Sequence, residues 1–394
     1  MIKFSLIMPT YNDAISIVET LDSITAQTYK NWELIIIDDG SQDNTKEVIK
    51  NYKKKYDKEE KISYYYQENA DQLNAILNAC DKITGEYIYI IHSDDLFANE
   101  NILSCVVKEL ENNEKYDAFL SKGSYIIDKT SNITGKQKFL TYKNKNYVIP
   151  LQLLWLGRNL YWDFAFFKKE AFLTEVKNNY LTWNMPFWLN TESEPYILKV
   201  KTLDFFFIKY RVFEGNYINN EIGKLNVING ELRTATRLLK YYTIPFYRMQ
   251  YLIFRCFNKI KLLSIYRPIY FKKESKHKDK IIKYIIKKRY KKDYEKYQFL
   301  DALIKFYEKE NNRTIYIKNI SNHEKIFTGA DMRKFNKMML EGKLSKLYLD
   351  LLEEMSNGFR KIVTTKKDYK KVITLTKFLC IYPFVIIETE GKEQ

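Results

Sequence analysis

The sequence predicts an α/β protein in which a domain built on a mostly parallel sheet precedes a mainly helical C-terminal domain. Three observations lead to this prediction. Short apolar runs alternate with amphipathic stretches of helical period over residues 4–91. Polar clusters follow three of those runs directly. From about residue 225 strand-like runs become scarce, and Lys, Tyr, Ile and Leu recur at helical spacing.

The N-terminal elements follow one another in regular order. The apolar runs that we assign to strands cover residues 4–8, 32–37, 62–66 and 87–91. The stretches that we assign to helices cover residues 14–24, 44–54 and 73–82. Ile17, Leu21 and Ile24 share one face of the first helix, and Ser41 or Asp43 is expected to cap the second. This alternation gives a parallel sheet with right-handed crossovers.

The change of character near residue 225 predicts domains over residues 1–224 and 225–394. Length supports two domains, because single cores stop growing at about 250–300 residues. The second domain is basic, and residues 272–296 hold twelve Lys or Arg against four Asp or Glu. Residues 314–320 and 381–389 have the composition of short strands, so a mixed α/β element near the end stays open.

Cysteine usage, hydropathy and charge limit the class of protein. The four cysteines are scattered without a CxxC pair, which predicts reduced packing thiols in a cytoplasmic protein. No apolar run approaches the roughly 20 residues of a membrane span, so we expect a soluble or peripheral protein. The net charge of +16 favours an anionic partner or surface. A nucleotide diphosphate, an anionic lipid and a nucleic acid would all fit that charge.

Three polar clusters follow the first, second and fourth predicted strands. They are Thr10-Tyr11-Asn12-Asp13, Asp38-Asp39-Gly40-Ser41 and His92-Ser93-Asp94-Asp95. In an open α/β sheet, ligands bind beyond the carboxyl ends of the strands. We therefore expect all three clusters to meet at one edge of the sheet and to form a binding site there.

Four ordered motifs resemble family 2 glycosyltransferases of the GT-A fold. They are SLIMPTYND, QTYKNWELIIIDDGSQDNT, TGEYIYIIHSDDLF and YRVFEGN, and the resemblance runs from residue 2 to about residue 220. It implies a Rossmann-like nucleotide-sugar-binding domain and an inverting hexosyl- or N-acetylhexosaminyltransferase, with a UDP-sugar as the preferred donor. The C-terminal domain carries no motif of this kind.

The resemblance also implies how the donor is held. In the family an aromatic residue at Tyr11 stacks on the base, although core packing would explain Tyr11 as well. Carboxylates at Asp38 and Asp39 bind the base and the ribose, while a capped turn is the alternative. The residues to which we assign nucleotide-sugar contacts are Pro9, Thr10, Tyr11, Asp13, Asp38, Asp39, Asp71, Asn74, Asp94 and Arg211.

The leaving group points to a metal ion. Transfer from a nucleoside diphosphate expels a multiply charged diphosphate, which a divalent cation such as Mn²⁺ or Mg²⁺ neutralises with few protein carboxylates. Asp94 and Asp95 follow a buried strand and suit this role. By resemblance Asp95 is the expected metal ligand, and Asp94 contacts the ribose or sugar or joins the metal site. A helix N-cap is the alternative for this pair.

An inverting transferase also needs a general base to take the proton of the acceptor hydroxyl. The family carries this carboxylate in a short acidic motif after the metal site, and the matching segment here is WNMPFWLNTESEPYILK. The usual Glu-Asp pair is replaced by Glu192-Ser193-Glu194. We predict Glu194 as the base, because it directly precedes Pro195 and an expected helix, with Glu192 as the second candidate. An ordinary acidic helix start is the alternative.

The chain departs from the family pattern at two positions. Relatives often carry Asp where this chain has His92, and His where it has Phe213. Phe213 is unable to contact a metal or a diphosphate, so Arg211, Glu214 or water is expected to compensate, and weak metal dependence is the alternative. His92 has two possible roles, as a ligand at the site or as a structural residue that forms hydrogen bonds. On the acceptor side, the candidates are Trp183, Trp188 and Asp163.

These observations predict a cytoplasmic enzyme that glycosylates a surface glycan, a lipid-linked oligosaccharide or a surface protein. The alternative is a non-catalytic nucleotide-sugar-binding or scaffold protein with a degenerate transferase domain. For the basic tail, a solvated helix face competes with a peripheral membrane contact on the cytoplasmic side. Nucleic acid is disfavoured as a partner, because no such motif is present and Arg is sparse in the tail. A homodimer contact stays open.

Overall fold

The chain divides into two compact units. The N-terminal unit comprises Met1–Asn146 and Asn159–Gly223, and the C-terminal unit comprises Tyr147–Arg158 and Lys224–Gln394. The computed structural model describes residues 1–70, 72–111, 115–138, 154–155, 164–179, 188–190, 195–197, 199–213, 216, 220–260, 262, 269, 271–272, 277–289, 297–309, 312–327 and 331–390.

The first half of the N-terminal unit alternates strands and helices, as the sequence predicts. Each predicted strand is confirmed with ends that differ by no more than two residues, and the third helix ends in a short 3₁₀ turn, Cys80–Lys82. The elements are β1 (Phe4–Thr10), α1 (Ile17–Thr25), β2 (Trp32–Asp38), α2 (Thr45–Lys55), β3 (Ile62–Tyr66), α3 (Gln72–Ala79) and β4 (Tyr87–Ile90).

The remaining elements of this unit complete two sheets. They are β5 (Leu96–Phe97), α4 (Ile102–Glu111), β6 (Ala118–Leu120), β7 (Gly123–Ile127), β8 (Ile133–Lys138), β9 (Ala165–Lys168), α5 (Lys169–Asn179), β10 (Trp188–Asn190), β11 (Pro195–Ile197), β12 (Val200–Thr202) and β13 (Ile208–Arg211). The larger sheet has the order β12-β6-β9-β4-β1-β2-β3. All its neighbouring pairs are parallel except those of β9, which runs antiparallel to β4 and β6. A smaller sheet has the order β5-β13-β7-β8.

Burial explains why the apolar runs form the central strands. All seven residues of β1 are buried, and so are all four of β4, which is typical of a central strand that is covered on both faces of a parallel sheet. On α1, Ile17, Leu21 and Ile24 are fully buried, which confirms the predicted face of this helix. Each such aliphatic side chain contributes about 1.5–3 kcal/mol when it leaves water.

Strand register brings the carboxyl ends of the central strands to one level. Thr10 of β1 lies opposite Asp38 of β2, and Asp38 lies opposite Tyr66 of β3. On the other side of β1, Ile7 lies opposite Ile90 of β4. The three polar clusters therefore leave the sheet at the same edge, as the sequence predicts.

The C-terminal unit is mainly helical but ends in a small α/β element. The expected short strands near its end are confirmed, and a third strand that the sequence analysis missed, Lys361–Thr364, lies between them in a parallel sheet. The elements that begin at Glu221 are α6 (Glu221–Tyr241), β14 (Tyr242–Thr243), α7 (Tyr247–Lys259), β15 (Phe271–Lys272), α8 (Lys278–Arg289), α9 (Gln298–Glu308), β16 (Thr314–Ile317), α10 (Met332–Leu340), α11 (Lys346–Asn357), β17 (Lys361–Thr364), α12 (Tyr369–Phe378) and β18 (Ile386–Thr389).

Two expectations from composition are tested by the structure. Within the described residues, no helix is both long and apolar enough to cross a membrane. The four cysteines carry free thiols, and Cys80 and Cys380 are buried as packing thiols. Cys256 is exposed on α7, so the prediction that all four cysteines pack in the interior is wrong at this position.

Candidate functional site

The loop that follows β1 is joined to the loop that follows β2 by hydrogen bonds. The backbone N–H of Asn12 donates to Ser41 Oγ at 2.9 Å, and the Asn12 carboxamide oxygen accepts from the backbone N–H of Gln42 at 2.7 Å. The N–H of Asp13 donates to Thr45 Oγ1 at 3.0 Å. Asn12 adopts a left-handed backbone with φ of 56°, which Asn tolerates better than most residues. These bonds fix the two loops as one rim at the sheet edge.

Asp38 is a structural residue of this rim. Its carboxylate is 1% exposed, and it accepts the N–H of Ser41 at 2.8 Å and the hydroxyl of Tyr64 at 2.6 Å. Burial and the neighbouring Asp38 carboxylate raise the pKa of Tyr64, so this phenol stays protonated and donates. Each carboxylate oxygen of Asp38 accepts one hydrogen bond, and these bonds hold the turn. This role matches the capped turn that the sequence analysis gave as the alternative.

Asp39 connects the rim to the segment after β3. Its Oδ1 accepts from Gln67 Nε2 at 2.7 Å and from the N–H of Ala70 at 2.8 Å. The next residue, Gly40, has φ of +84°, and a Cβ built there would lie 2.8 Å from the backbone nitrogen of Asn69. Only glycine fits this turn without displacing the chain. Asp39 is thereby held 4% exposed.

Asp13 lies where the first and fourth strands end. Its Oδ2 accepts the hydroxyl of Thr10 at 3.2 Å and also the hydroxyl of Ser93, which belongs to the cluster after β4. Burial raises the pKa of Asp13; the Ser93 hydrogen bond opposes this effect, and the charge of Asp94 adds to it. Two carboxylates from different clusters therefore share one partly dehydrated site.

Asp94 is the half-buried carboxylate of the cluster after β4. Burial raises its pKa, while the charges of His92 and Arg211 lower it. Both Asp13 and Asp94 would be stabilised as anions by a cation, because burial raises the pKa of each carboxylate and the charge of Asp94 raises that of Asp13 further. A nitrogen of the His92 ring lies 3.1 Å from Gln72 Nε2, so His92 takes part in hydrogen bonding beside this pair.

Asp95 differs from Asp94 in its surroundings. Its side chain is fully buried, and its Oδ1 accepts the backbone N–H of Arg211 at 2.8 Å. This bond ties the end of β4 to β13. Asp94 is the more exposed of the two carboxylates, and both stay candidates for the metal ligand that the sequence predicts.

Arg211 does not face the sheet edge as the sequence suggested. Its guanidinium is 4% exposed and donates to the carbonyl oxygens of Asp94 at 2.8 Å and of Asp128 and Lys129 at 3.0 Å. Its remaining nitrogen forms an ion pair with Glu19 at 2.8 Å. Because every guanidinium nitrogen already donates within the fold, the expected diphosphate contact is replaced by a positioning role.

Tyr11 is the exposed aromatic residue of the site. Its side chain is 41% exposed on the hydrogen-bonded rim, whereas Thr10 is 3% exposed and Pro9 is buried in β1. Core packing therefore does not explain Tyr11, and an open phenyl face suits stacking on a base. The Nδ2 of Asn74 donates to the carbonyl of Ala70, which precedes helix α3, at 2.6 Å.

Several predicted residues lie outside the described residues, namely Asp71, Asp163, Trp183, Glu192, Glu194 and Glu214. One expectation about the base segment is nevertheless wrong. The residues after Glu194 form β11, which pairs antiparallel with β10 so that Pro195 lies opposite Asn190. The expected helix is therefore a strand, because the run from 195 to 197 finds a pairing partner in 188 to 190.

Phe213 stands at the position where the family resemblance leads us to expect a His. The ammonium of Lys129 lies 5.6 Å from the centre of its ring, a cation–π distance, and its N–H donates to Asn216 Oδ1. Phe213 thus helps to pack the end of β13 and offers no metal ligand.

The candidate metal ligands among the described residues are carboxylates at the sheet edge. Among them, no three His, Cys, Asp or Glu side chains lie close enough to bind a metal ion by themselves. Mg²⁺ in phosphate-transfer sites typically uses one or two carboxylates and completes its shell with phosphate oxygens and water. Asp94, with Asp13 beside it, fits that requirement, because both carboxylates have a raised pKa and share one site.

The sequence analysis named Asp43 only as a possible helix cap and missed Glu19 and Ser131, and all three residues help to hold the site together. Asp43 Oδ2 accepts the N–H of Ala14 at 3.1 Å, and Glu19 and Ser131 complete the contacts of Arg211. The spacing of Asp43 and Thr45 before a helix is a capping signal that predicts part of this arrangement. No local signal marks Glu19 or Ser131, because they meet Arg211 only in the folded chain.

Comparison with known proteins gives one family. The model of glycosyl transferase family 2 matches residues 5–174. The Escherichia coli protein UDP-Glc:alpha-D-GlcNAc-diphosphoundecaprenol beta-1,3-glucosyltransferase WfgD is 30% identical over 187 residues, which cover 44% of this chain and 70% of that protein. An uncharacterized glycosyltransferase of Rickettsia typhi is 34% identical over 127 residues, which cover 32% of this chain and 38% of that protein.

The match to several relatives is partial. The chain spans 38% or less of the length of the first Rickettsia relatives that it matches. Among solved structures, S. aureus TarS 1-349 in complex with UDP-GlcNAc is similar with a TM-score of 0.46 at 14% identity. That similarity covers 87% of this chain and 93% of the TarS chain.

Proposed function

This chain belongs to glycosyl transferase family 2, and from that membership we propose that it is an inverting glycosyltransferase using a UDP-sugar donor. The acceptor is a hydroxyl of a surface glycan, a lipid-linked oligosaccharide or a surface protein. The name of the E. coli relative states a UDP-glucose donor and a diphosphoundecaprenol-linked acceptor, which supports UDP and a lipid-linked saccharide. Its place of action is the cytoplasm, in keeping with free thiols at all four cysteines.

One observation carries this proposal. Tyr11 and Asp13 from the first strand and Asp94 from the fourth come together at the carboxyl edge of the parallel sheet. An exposed aromatic ring beside two dehydrated carboxylates matches the parts of a nucleoside diphosphate with its cation. The ring stacks on the base, and the carboxylates lie near the diphosphate.

The residues divide the work of donor binding. Tyr11 stacks on the base, and the hydrogen-bonded rim of Asn12, Ser41 and Asp38 keeps this ring at the open edge. Asp94 would hold Mn²⁺ or Mg²⁺, with Asp13 as the neighbouring carboxylate. A bound cation would supply charge neutralisation for the departing diphosphate. Arg211 keeps the backbone of Asp94 and the side chain of Asp95 in position.

The acceptor side is proposed from the sequence alone. Glu194, or else Glu192, removes the proton of the acceptor hydroxyl while that oxygen attacks the anomeric carbon from the face opposite to the diphosphate. Both residues belong to the connection between β10 and β11. Trp188 in β10 is close in sequence and is the proposed packing surface for the acceptor sugar.

Donor binding is tested first by a thermal-shift screen of nucleotide sugars with and without Mn²⁺. A ligand that binds only the native state raises the melting temperature. At a ligand concentration of 100 times its Kd, the free energy of unfolding rises by about 2.7 kcal/mol. We expect UDP-sugars to raise the melting temperature more in the presence of Mn²⁺. If no nucleotide sugar raised the melting temperature, this result would contradict the proposal.

Catalysis is tested by UDP-sugar hydrolysis with Mn²⁺ in the wild type and in Asp94→Asn. We expect a loss of at least a hundredfold in Asp94→Asn, comparable with removing one transition-state contact. Asp57→Asn is the matched control, because Asp57 is exposed on a turn with φ of 50° that Asn also accepts. Binding without turnover of any donor, with or without acceptors, would favour the non-catalytic alternative instead.

A further inference from the structure

Helix α7 (Tyr247–Lys259) turns an apolar stripe toward solvent. Met249, Leu252 and Ile253 are 51%, 60% and 38% exposed, and Ile260 just past the helix is 58% exposed. Together with the exposed Cys256, these positions follow the spacing i, i+3, i+4, i+7 and i+11, which places them on one helical face. Scattered apolar residues on a surface need no explanation, but a contiguous stripe marks an interaction surface.

The opposite face of α7 is firmly packed, so the stripe does not result from a misplaced helix. Tyr251 and Phe254 are buried, and the ring of Tyr251 contacts Trp155 at 5.7 Å between centroids. Gln250 is 3% exposed and exchanges hydrogen bonds with the backbone of Ile269, at 2.7 and 3.1 Å. The helix is therefore fixed through one face and leaves its other apolar face uncovered.

Apolar side chains beside the start of the helix extend the stripe. Phe246 immediately before α7 is 71% exposed, and Phe271 of β15 is 59% exposed. Ile269, bonded to Gln250 through its backbone, is 48% exposed. Two exposed phenyl rings and an exposed isoleucine are thus held close to the start of α7.

Basic residues line one flank of the stripe. Arg248, Arg255 and Lys259 are exposed and lie at i, i+7 and i+11, which places them in a row beside Leu252. A helix with an apolar face and a basic flank has the pattern of helices that lie in the plane of a membrane interface.

Helix α8 (Lys278–Arg289) adds a second basic face next to this flank. Its four isoleucines are buried, while Lys280, Lys283, Lys287 and Lys288 lie with Tyr284 on the outward side. Together with Tyr247 and Arg248 of α7, these side chains line a groove of about 660 Å³. Tyr284 packs against Tyr247 and Tyr251 at 5.6 and 5.3 Å, which joins the two helices.

We propose that the uncovered face of α7, with the basic groove between α7 and α8, is a docking surface for an anionic lipid bilayer. The apolar stripe enters the interface between headgroups and acyl chains, and the lysines and arginines contact the phosphate-bearing headgroups. This surface belongs to the C-terminal unit and does not depend on the donor chemistry proposed for the N-terminal unit. The sequence pointed to the basic stretch of residues 272–296, with residues 266–271 as a possible inserting segment, and the structure adds α7 as an apolar element.

The positive charge of the surface favours an anionic bilayer as the partner over a second copy of the chain. Two copies related by a twofold axis would bring their own basic flanks together, and like charges across an interface disfavour association. Each chain carries a net charge of +16. An anionic bilayer offers both an apolar layer for the stripe and negative charge for the groove, so it satisfies both halves of the surface.

The test is co-sedimentation of the full chain with vesicles of phosphatidylcholine containing phosphatidylglycerol, compared with vesicles of phosphatidylcholine alone. We expect binding to the anionic vesicles that weakens as salt is added. Lys280→Gln with Lys288→Gln should weaken this binding roughly 25-fold, because each basic residue near such a surface contributes about a fivefold change in affinity. Met249→Ser with Leu252→Ser should also reduce it at least tenfold.

Matched control variants keep the result specific. Lys50→Gln with Lys54→Gln removes two exposed lysines from α2, and Leu340→Ser with Leu349→Ser removes two leucines that are 42% and 43% exposed. Both controls should bind vesicles as the wild type does. Melting temperatures of all variants should match the wild type, because every altered side chain is exposed.

A second measurement tests whether the apolar stripe of α7 enters the bilayer. In a Cys105→Ser background, an environment-sensitive fluorophore on the exposed Cys256 should shift to shorter wavelength with anionic vesicles, as its surroundings become apolar. No binding of the wild type to anionic vesicles would overturn the proposal. Binding of Met249→Ser with Leu252→Ser to anionic vesicles at the wild-type level would also overturn it. So would a concentration-dependent dimer of the wild type that this variant disrupts and that anionic vesicles leave unchanged.

Discussion

Replacing Arg211 by Met tests the role that the structure gives to this buried arginine. The guanidinium makes five hydrogen bonds, to three backbone carbonyls, to Glu19 and to Ser131. A hydrogen bond to a charged group contributes about 1.5–3 kcal/mol, but water can replace the arginine at the exposed partners. Methionine keeps much of the apolar stem. We expect Arg211→Met to lower the free energy of unfolding by about 3 kcal/mol.

The assay is urea unfolding without any ligand, followed by circular dichroism, with UDP binding measured in parallel. Glu19→Gln is the matched control, because it keeps a hydrogen-bond acceptor for the guanidinium and removes only the charge of a half-exposed partner. A surface ion pair contributes about 0–1 kcal/mol, so Glu19→Gln should lower the free energy of unfolding by no more than this amount. Unchanged stability of Arg211→Met together with lost UDP binding would refute the positioning role and restore the diphosphate contact.

The same ion pair has a defined pH dependence. The hydroxyl of Ser131 and the charge of Arg211 hold the pKa of Glu19 below its ordinary value of 4.5, although partial burial opposes them. A lowered pKa in the folded state means that the contribution is present above pH 4.5 and is lost as pH falls through the lowered value. The stability difference between the wild type and Glu19→Gln should therefore disappear in acid. A difference that grew as the pH fell would contradict this account.

Three further predictions concern the donor rim and the base. Tyr11→Ala should weaken UDP binding by about 1–3 kcal/mol, the range of base–aromatic stacking, while Tyr11→Phe should bind as the wild type in calorimetry. Gly40→Ala should lower the melting temperature, because its φ of +84° and the backbone nitrogen of Asn69 leave no room for a Cβ; an unchanged melting temperature would contradict the turn geometry. Glu194→Gln should lower kcat for transfer at least a hundredfold with little change in donor Kd, and the same result for Glu192→Gln alone would reverse the assignment.

The order of elements in the N-terminal unit could be predicted because the pattern there is local. Each buried strand is a short apolar run, and each helix repeats its apolar residues every three or four positions. Crossover handedness and parallel pairing then place all three polar clusters at one edge. The meeting of Asp13 with the Ser93 cluster follows from that topology and needed no knowledge of side-chain contacts.

Other parts escaped prediction because their cause is not local. The segment after Glu194 has no intrinsic preference strong enough to exclude a helix, and pairing with β10 makes it a strand. β17 was missed for a similar reason, since four residues become a strand only between β16 and β18. The apolar stripe of α7 has the spacing of an ordinary core face, and only packing shows that the opposite side is buried.

The sequence by itself determined the family, the parallel sheet and the edge at which the donor site lies, because these depend on periodicity and on the order of the motifs. Tertiary structure decided the role of each acidic or basic residue at that edge. Asp38, Asp95 and Arg211 are buried and bonded within the fold, whereas Tyr11 stays exposed and Asp94 only half-buried. The physical reason is that exposure and hydrogen-bond partners come from residues distant in the chain, such as Tyr64 for Asp38 and Glu19 for Arg211.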